Sequence, residues 1–360
     1  MDIARSQNGS LLIFDEIVID GEADVPTLAR IQSHDHKDHM SKFFTSLANN
    51  KYVISHKATI ELIKALTPKK AKALAIRNNI FSLDYKKVFD IEGKYNVTLY
   101  QNAHVLGSSQ ILIEDLKTNL RVVYSSDIGP QIIEKDLFIP ECDVLIIDST
   151  CGTSNPEKQK DYSESEEALM DLISDNISYD GPIQISGHRG TIEKVILRFI
   201  EDFPTHEIYL SKNILASIEV YRKFNWAFHP SQIFGNINEI IPEDKKYIYF
   251  CTPSETHGYS HNYDNLHFRL TGLHSGSSEY ILKNGDGDIF DCYLTAHASY
   301  ETTIEYILKT KAKRVIIDKI RGSETRANSL KKNLDSLKDF EQKEVKFEIL
   351  REIKFQQDER

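Results

Sequence analysis

A chain of 360 residues is long enough for one large domain or two ordinary ones, and 40% hydrophobic with 27% charged residues is a globular composition that excludes a disordered, collagen-like or coiled-coil protein. Lys+Arg 44 against Asp+Glu 54 leaves a formal charge of −10, so no overall basic field holds nucleic acid non-specifically and any polyanion has to be bound locally. Cys142, Cys151, Cys251 and Cys292 form no C-x-x-C pair and read as reduced intracellular thiols, and no apolar run approaches bilayer-spanning length. The expectation is a soluble, cytoplasmic protein with no membrane partner.

From Leu11 to Ile31 short apolar runs alternate with Gly, Asp and Pro, and the same texture returns at residues 51–55, 96–100, 110–114 and 120–124, which predicts a first part made mainly of strands. Asp143-Val-Leu-Ile-Ile-Asp148 reads as a strand buried on both faces that ends in the turn Asp-Ser-Thr-Cys-Gly. After Asn155-Pro156 a Glu/Lys/Ser-rich stretch leads into a helical pattern over 165–177, and a domain boundary is expected there. From Gly181 the order is strand (182–186), turn (Gly187-His-Arg-Gly190), helix (191–203), strand (207–210) and helix (213–224), an α/β unit with a parallel sheet. Strand texture around 272–278, a strand at 291–295, helix 300–308, strand 314–318 and helix 324–337 complete the chain. The expected architecture is α/β, with a first domain over 1–156, a smaller α/β unit inserted over 157–272, and a return to the first domain over 273–360.

The sharpest feature is Ser33-His34-Asp35-His36-Lys37-Asp38-His39, which packs three imidazoles and a free carboxylate directly after an apolar strand. Imidazole and carboxylate are the ligands that suit Zn²⁺ and its neighbours, and alternate side chains of a loop leaving a strand can aim at two adjacent points. His34 and His36 are expected to serve one ion, and Asp38 and His39 a second. A catalytic ion needs further ligands, and two strand ends supply them: His104 as the third ligand of the first ion and Asp127 as a bridging carboxylate. His56, His206, His229, His257, His261, His267 and His274 stand singly in unremarkable contexts, and His257 and His261, four apart, read as a surface loop before a ligand pair.

With those residues in place, the chain resembles the metallo-β-lactamase superfamily of hydrolases. Ile147-Asp148-Ser-Thr-Cys-Gly and Leu294-Thr-Ala-His297-Ala-Ser are similar to the acidic and histidine motifs of its β-CASP branch of nucleic-acid-processing nucleases, and an insert lies between them. Gly272-Leu-His-Ser275-Gly276-Ser277 resembles the segment with which ligase-associated DNA exonucleases, cousins of the DNA cross-link repair nucleases, re-enter the main domain. The resemblance runs from about residue 9 to about residue 321 and implies an αββα sandwich carrying an inserted β-CASP-like domain.

It also implies a metal-dependent nuclease: a 5′ to 3′ DNA exonuclease of repair or processing, with an RNA-processing endo- or exoribonuclease as the alternative and a non-catalytic subunit of a processing complex as a third reading. The cofactor is Zn²⁺, one ion or two, with Mn²⁺ or Mg²⁺ as alternatives, and the partner is nucleic acid, DNA before RNA. Asp38, Asp148 and His297 are the candidate catalytic residues, His297 as a general acid held by Asp148. In the RNA-processing enzymes a further His ends the strand after the histidine motif, whereas here the segment reads Arg314-Val-Ile-Ile-Asp318-Lys319. That departure weakens the second ion position, favours DNA, and makes Asp318 a further candidate ligand. Ser186, Gly187, His188, Arg189, Gly190 and Thr191, opening a helix, are expected to offer backbone N–H groups to a phosphate.

Overall fold

The computed structural model describes residues 3–7, 9–150, 161–228, 233–236, 246–258, 266–272, 279–284, 288–320, 323–341 and 343–352. The chain is an α/β protein of two compact units, one of residues 1–156 and 297–360, the other of residues 157–296.

In the first unit, strands Ala4–Gln7, Ser10–Ile13, Ile17–Ile19, Ala29–Gln32, Tyr52–His56 and Ile80–Leu83 form a sheet in sequence order. A second sheet runs Lys346–Ile349, Arg314–Ile317, Val144–Ile147, Leu120–Tyr124, Ser109–Asp115, Tyr95–Gln101, Val88–Ile91. Its antiparallel half is a meander, while Leu120–Tyr124, Val144–Ile147, Arg314–Ile317 and Lys346–Ile349 are parallel neighbours. The two sheets share one core: Leu11, Ile13, Ile19 and Ile31 from the first meet Val97, Ile113, Val122 and Ile146 from the second. Helices Phe43–Asn49 and Lys57–Leu66 cover the outer face of the first sheet through Phe43, Leu47, Ile60 and Ile63 packed with Val53. Helices Tyr300–Thr310 and Glu324–Asp335 cover the second through Tyr306, Ile307, Leu330 and Leu334 packed with Val123, Leu145 and Val315. The layers are therefore helix, sheet, sheet, helix.

The alternation that builds this sandwich is legible in single strands. In Ala29-Arg-Ile-Gln32 the small and branched side chains, Ala29 and Ile31, enter the shared core. The first part is less purely β than its sequence texture suggests, because helices Phe43–Asn49, Lys57–Leu66 and Pro68–Ala75 interrupt it. His56 starts the second of these, its Nδ1 accepting the Ala58 N–H at 3.2 Å. The same ring stacks on Tyr85 at 3.9 Å between centroids.

In the second unit a sheet runs Ile233–Asn236, Ile208–Leu210, Ile248–Cys251, Ile183–Ser186, Leu266–Thr271, Ile289–Tyr293, Ile281–Lys283, parallel except for its last pair. Helix Tyr162–Asn176 leads into it, with the Asp161 carboxylate accepting the Ser163 and Glu164 N–H groups. The return to the first unit comes at 297, later than the expected 273, because Ile289–Tyr293 pairs with Leu266–Thr271 over five residues and so stays in the inserted sheet. Of the expected re-entry segment only Gly272 is described; Ser275, Gly276 and Ser277 lie outside the described residues, as does Cys151. Among the described residues no helix is long and apolar enough to cross a membrane.

Candidate metal centre

Every candidate ligand sits where a strand of the sandwich ends. His34, His36, Asp38 and His39 follow Ala29–Gln32; His104 follows Tyr95–Gln101; Asp127 follows Leu120–Tyr124; Asp148 follows Val144–Ile147. His297 lies just ahead of helix Tyr300–Thr310. Loops leaving neighbouring strands at one edge can converge, which is why residues so distant in sequence meet here.

Asp127 is the centre of the arrangement. Its Oδ2 is 3.7 Å from His34 Nε2 and 3.6 Å from His104 Nε2, while its Oδ1 is 3.2 Å from His39 Nε2. Ligand atoms of His34, His36, His104 and Asp127 all lie within 4.8 Å of one another, and so do those of Asp38, His39 and Asp127. A third such set joins Asp127 to Asp148 and His297. The two oxygens of one carboxylate thus face two different histidine sets. Two ligands each 2.0–2.1 Å from a tetrahedral ion stand about 3.3 Å apart, so these separations are those of donors around a cation.

The tautomers fit as well. Asp20, wholly buried, accepts the Ser33 N–H at 2.7 Å on Oδ1, and the Ser33 hydroxyl at 2.5 Å and His39 Nδ1 at 2.7 Å on Oδ2. A carboxylate only accepts, so His39 carries its proton on Nδ1 and turns Nε2 toward Asp127. Ser33 has a single hydroxyl proton, given to Asp20, so its oxygen, 3.0 Å from His34 Nδ1, accepts from that ring and leaves the lone pair of His34 on Nε2. His34 Nε2 is buried with no hydrogen-bond partner among the described residues. A buried lone pair aimed at a carboxylate is costly unless a cation sits between them.

Burial and neighbouring charge compete at each group of the cluster. Burial drives the His34 pKa well below its usual value, and the neighbouring His39 and His36 push in the same direction. Burial also opposes charge on His39, but Asp127 and Asp20 overcome it and raise its pKa to about 10. For Asp127, burial opposes ionisation and His39, His297 and His34 more than reverse it, so it stays a carboxylate.

Backbone packing keeps the two key loops together. Asn102, wholly buried, donates to the Ser125 and Asp127 carbonyls at 3.2 and 2.9 Å, and its own carbonyl accepts the Gly129 N–H at 2.8 Å. A Cβ on Gly129 would lie 2.1 Å from the Ala103 carbonyl, so only glycine allows the Asp127 loop this close to the His104 loop. Asp148 Oδ1 accepts the Thr150 N–H and hydroxyl, at 2.8 and 2.7 Å, while its Oδ2 is 3.8 Å from His297 Nδ1. Burial works against charging His297, yet the Asp148 and Asp127 carboxylates raise its pKa.

Two sequence expectations fare differently. Asp318 is buried, but its Oδ1 accepts the Ile320 N–H at 2.7 Å and no set of clustered ligands among the described residues includes it. It is a turn residue here. At the Ser186 to Thr191 turn, the Ser186 hydroxyl is 2.8 Å from His267 Nε2, Gly187 N–H donates to the Cys251 carbonyl, and Gly190 N–H donates to Glu193 Oε2 at 2.5 Å. Glu193 is buried and also accepts from Ser217 at 2.8 Å. Glu193 therefore takes the Gly190 N–H, one of the backbone donors expected to face a phosphate.

Sequence reasoning missed Asp20, Ser33, Asn102 and Gly129. Asp20 had a usable signal, an acid closing the apolar strand Ile17–Ile19, the same feature that singled out Asp148.

No family model matches the sequence, and no curated protein matches it. Among solved structures, the chain is similar to a protein of unknown function from Enterococcus faecalis V583, with a TM-score of 0.53 and 14% sequence identity. The similarity covers 82% of this chain and 76% of that one. At that identity the likeness is one of fold.

Proposed function

We propose that the chain is a metal-dependent phosphodiesterase of metallo-β-lactamase fold acting on nucleic acid, in its most specific form a 5′ to 3′ DNA exonuclease. The observation that carries the reading is the Asp127 carboxylate, with one oxygen toward His34 and His104 and the other toward His39. The helix, sheet, sheet, helix layering supports the fold assignment, and the Asp148–His297 pair beside the same carboxylate supports hydrolysis. Preference for DNA rests on the strand Arg314–Ile317, which ends in a turn-forming Asp318 where the RNA-processing pattern has a ligating His.

His34, His36, His104 and Asp127 would hold one Zn²⁺, and Asp38, His39 and Asp127 a second, with Mn²⁺ or Mg²⁺ as alternatives. Such ions supply Lewis-acid polarisation of a phosphate oxygen and a water of lowered pKa. Asp20 and Ser33 keep the His39 and His34 lone pairs on Nε2. His297, whose pKa Asp148 and Asp127 raise against burial, would deliver a proton to the leaving oxygen, and Asp148 keeps its place by accepting twice from Thr150. The set of three ligands is smaller than the set of four, so the second position is the weaker.

The test is cleavage of matched 5′-labelled and 3′-labelled DNA and RNA, single and double stranded, in Zn²⁺ or Mn²⁺. Shortening of DNA from its 5′ end, lost in Asp127→Asn, is the expected result. Equal signal from wild type and Asp127→Asn on every substrate would contradict the function, and faster turnover of RNA would reassign the substrate.

A further inference from the structure

Behind the ligand loop lies a polar assembly that takes no direct part in the ligand sets. Arg30 and Gln32, both wholly buried, occupy alternate positions of strand Ala29–Gln32, with Ala29 and Ile31 committed to the shared core. The guanidinium lies over the Phe43 ring, 5.1 Å from its centroid. Its Nη1 donates to the Ser41 carbonyl and the Ser46 hydroxyl, both at 2.9 Å, and its Nη2 donates to Gln32 Oε1 at 2.6 Å and the His39 carbonyl at 3.3 Å.

That contact orients the Gln32 amide. A guanidinium has donors only, so Oε1 must face it and the NH₂ group must face away. The NH₂ group then donates to the His34 carbonyl at 2.5 Å and to the His39 carbonyl at 3.2 Å. His34 belongs to the set of four ligands and His39 to the set of three. One amide therefore ties together a member of each set, and one guanidinium holds that amide and the far end of the loop. Burying a guanidinium is unfavourable unless its hydrogen bonds are made, so this pair is specified by what it holds and not by packing alone.

We infer that Arg30 and Gln32 are positioning residues that set the spacing between the two cation positions, an inference that rests on the metal reading above. Neither supplies a ligand atom. Their effect is on how well two imidazoles from one loop match two ions that share Asp127.

The test uses the full chain, stripped of metal and titrated with Co²⁺, followed by visible absorption and calorimetry. Gln32→Glu keeps the acceptor facing Arg30 but sets a carboxylate oxygen against the His34 and His39 carbonyls. Gln32→Met, which adds no charge, serves if the first variant does not fold, and thermal melts accompany both. The expected result is a folded variant that binds Co²⁺ at least about tenfold more weakly, with an altered visible spectrum, since outer partners of metal ligands are worth about 10- to 100-fold in affinity. Arg30→Lys, which keeps the charge but loses the fork, should fall between wild type and Gln32→Glu. Unchanged Co²⁺ affinities and spectrum in folded variants, with or without a lower melting temperature, would overturn the positioning role and leave the metal reading standing. Failure of wild type to take up Co²⁺ would instead overturn the metal reading itself.

Discussion

Asp20→Asn tests whether the tautomers of two ligands are set from one buried point. The carboxylate accepts three hydrogen bonds, from the Ser33 amide, the Ser33 hydroxyl and His39 Nδ1. An asparagine offers one oxygen in place of two, so its NH₂ group must face either the Ser33 amide or the pair formed by the Ser33 hydroxyl and His39. In the first case a donor meets a donor. In the second the His39 proton moves to Nε2, where it blocks the position that faces Asp127 at 3.2 Å. Hydrogen bonds to charged groups are worth about 1.5–3 kcal/mol each, so losing one or two of them should lower stability by roughly 2–4 kcal/mol. Metal affinity should drop about 10- to 100-fold, or about 1.4–2.8 kcal/mol. Zn²⁺ competition titrations with a chromophoric chelator, run beside urea melts of the metal-free protein, separate the two effects. A variant that loses stability and keeps wild-type Zn²⁺ affinity would show that Asp20 braces the fold and does not orient the ligands.

Gly129→Ala should destabilise the chain by at least about 2 kcal/mol and weaken metal uptake together, because its Cβ would meet the Ala103 carbonyl at 2.1 Å and backbone cannot yield as a side chain can; denaturant melts and elemental analysis check it. Asp148→Asn and His297→Ala should each slow phosphodiester cleavage by about 10²- to 10⁴-fold, with the double variant scarcely slower than His297→Ala alone, and multiplicative losses in that cycle would show separate roles. Burial, aided by Lys57 and opposed by Asp84, lowers the His56 pKa from 6.5 to about 4, so the unfolded chain takes up a proton in that window and the folded chain does not. Stability present above pH 6.5 should therefore fall as pH drops toward 4, and His56→Gln should flatten the slope of urea stability against pH over that range.

The cluster of candidate ligands was legible because it concentrates rare residue types in one short run. Six residues after Ser33 announce themselves without any knowledge of the fold, and His104 and Asp127 follow from the need to complete their sets. Asp20, Arg30 and Gln32 were harder because each is a single polar residue in or at the end of an apolar strand, and only burial shows that it faces inward. Of the helices after the first strands, Phe43–Asn49 spans only 7 residues, too few for a helical period to show, and Pro68 opens Pro68–Ala75 as its first residue. The end of the inserted unit was misplaced because a strand's texture does not reveal its partner. Ile289–Tyr293 could have joined either sheet by composition, and its pairing with Leu266–Thr271 is a property of the fold. At the Ser186 to Thr191 turn, sequence could not show that the Gly190 N–H is taken by Glu193, three residues further on.

On the metal reading, the two oxygens of Asp127 serve a pair of cation positions. Crystals grown with Zn²⁺ and measured at the zinc absorption edge decide this, because anomalous scattering locates the metal independently of any activity. Two anomalous peaks should flank the Asp127 carboxylate, the stronger among His34, His36 and His104 and the weaker between Asp38 and His39. Absence of any peak at these residues in zinc-grown crystals would rule out a metal centre here, and two peaks with neither beside Asp127 would rule out its bridging role.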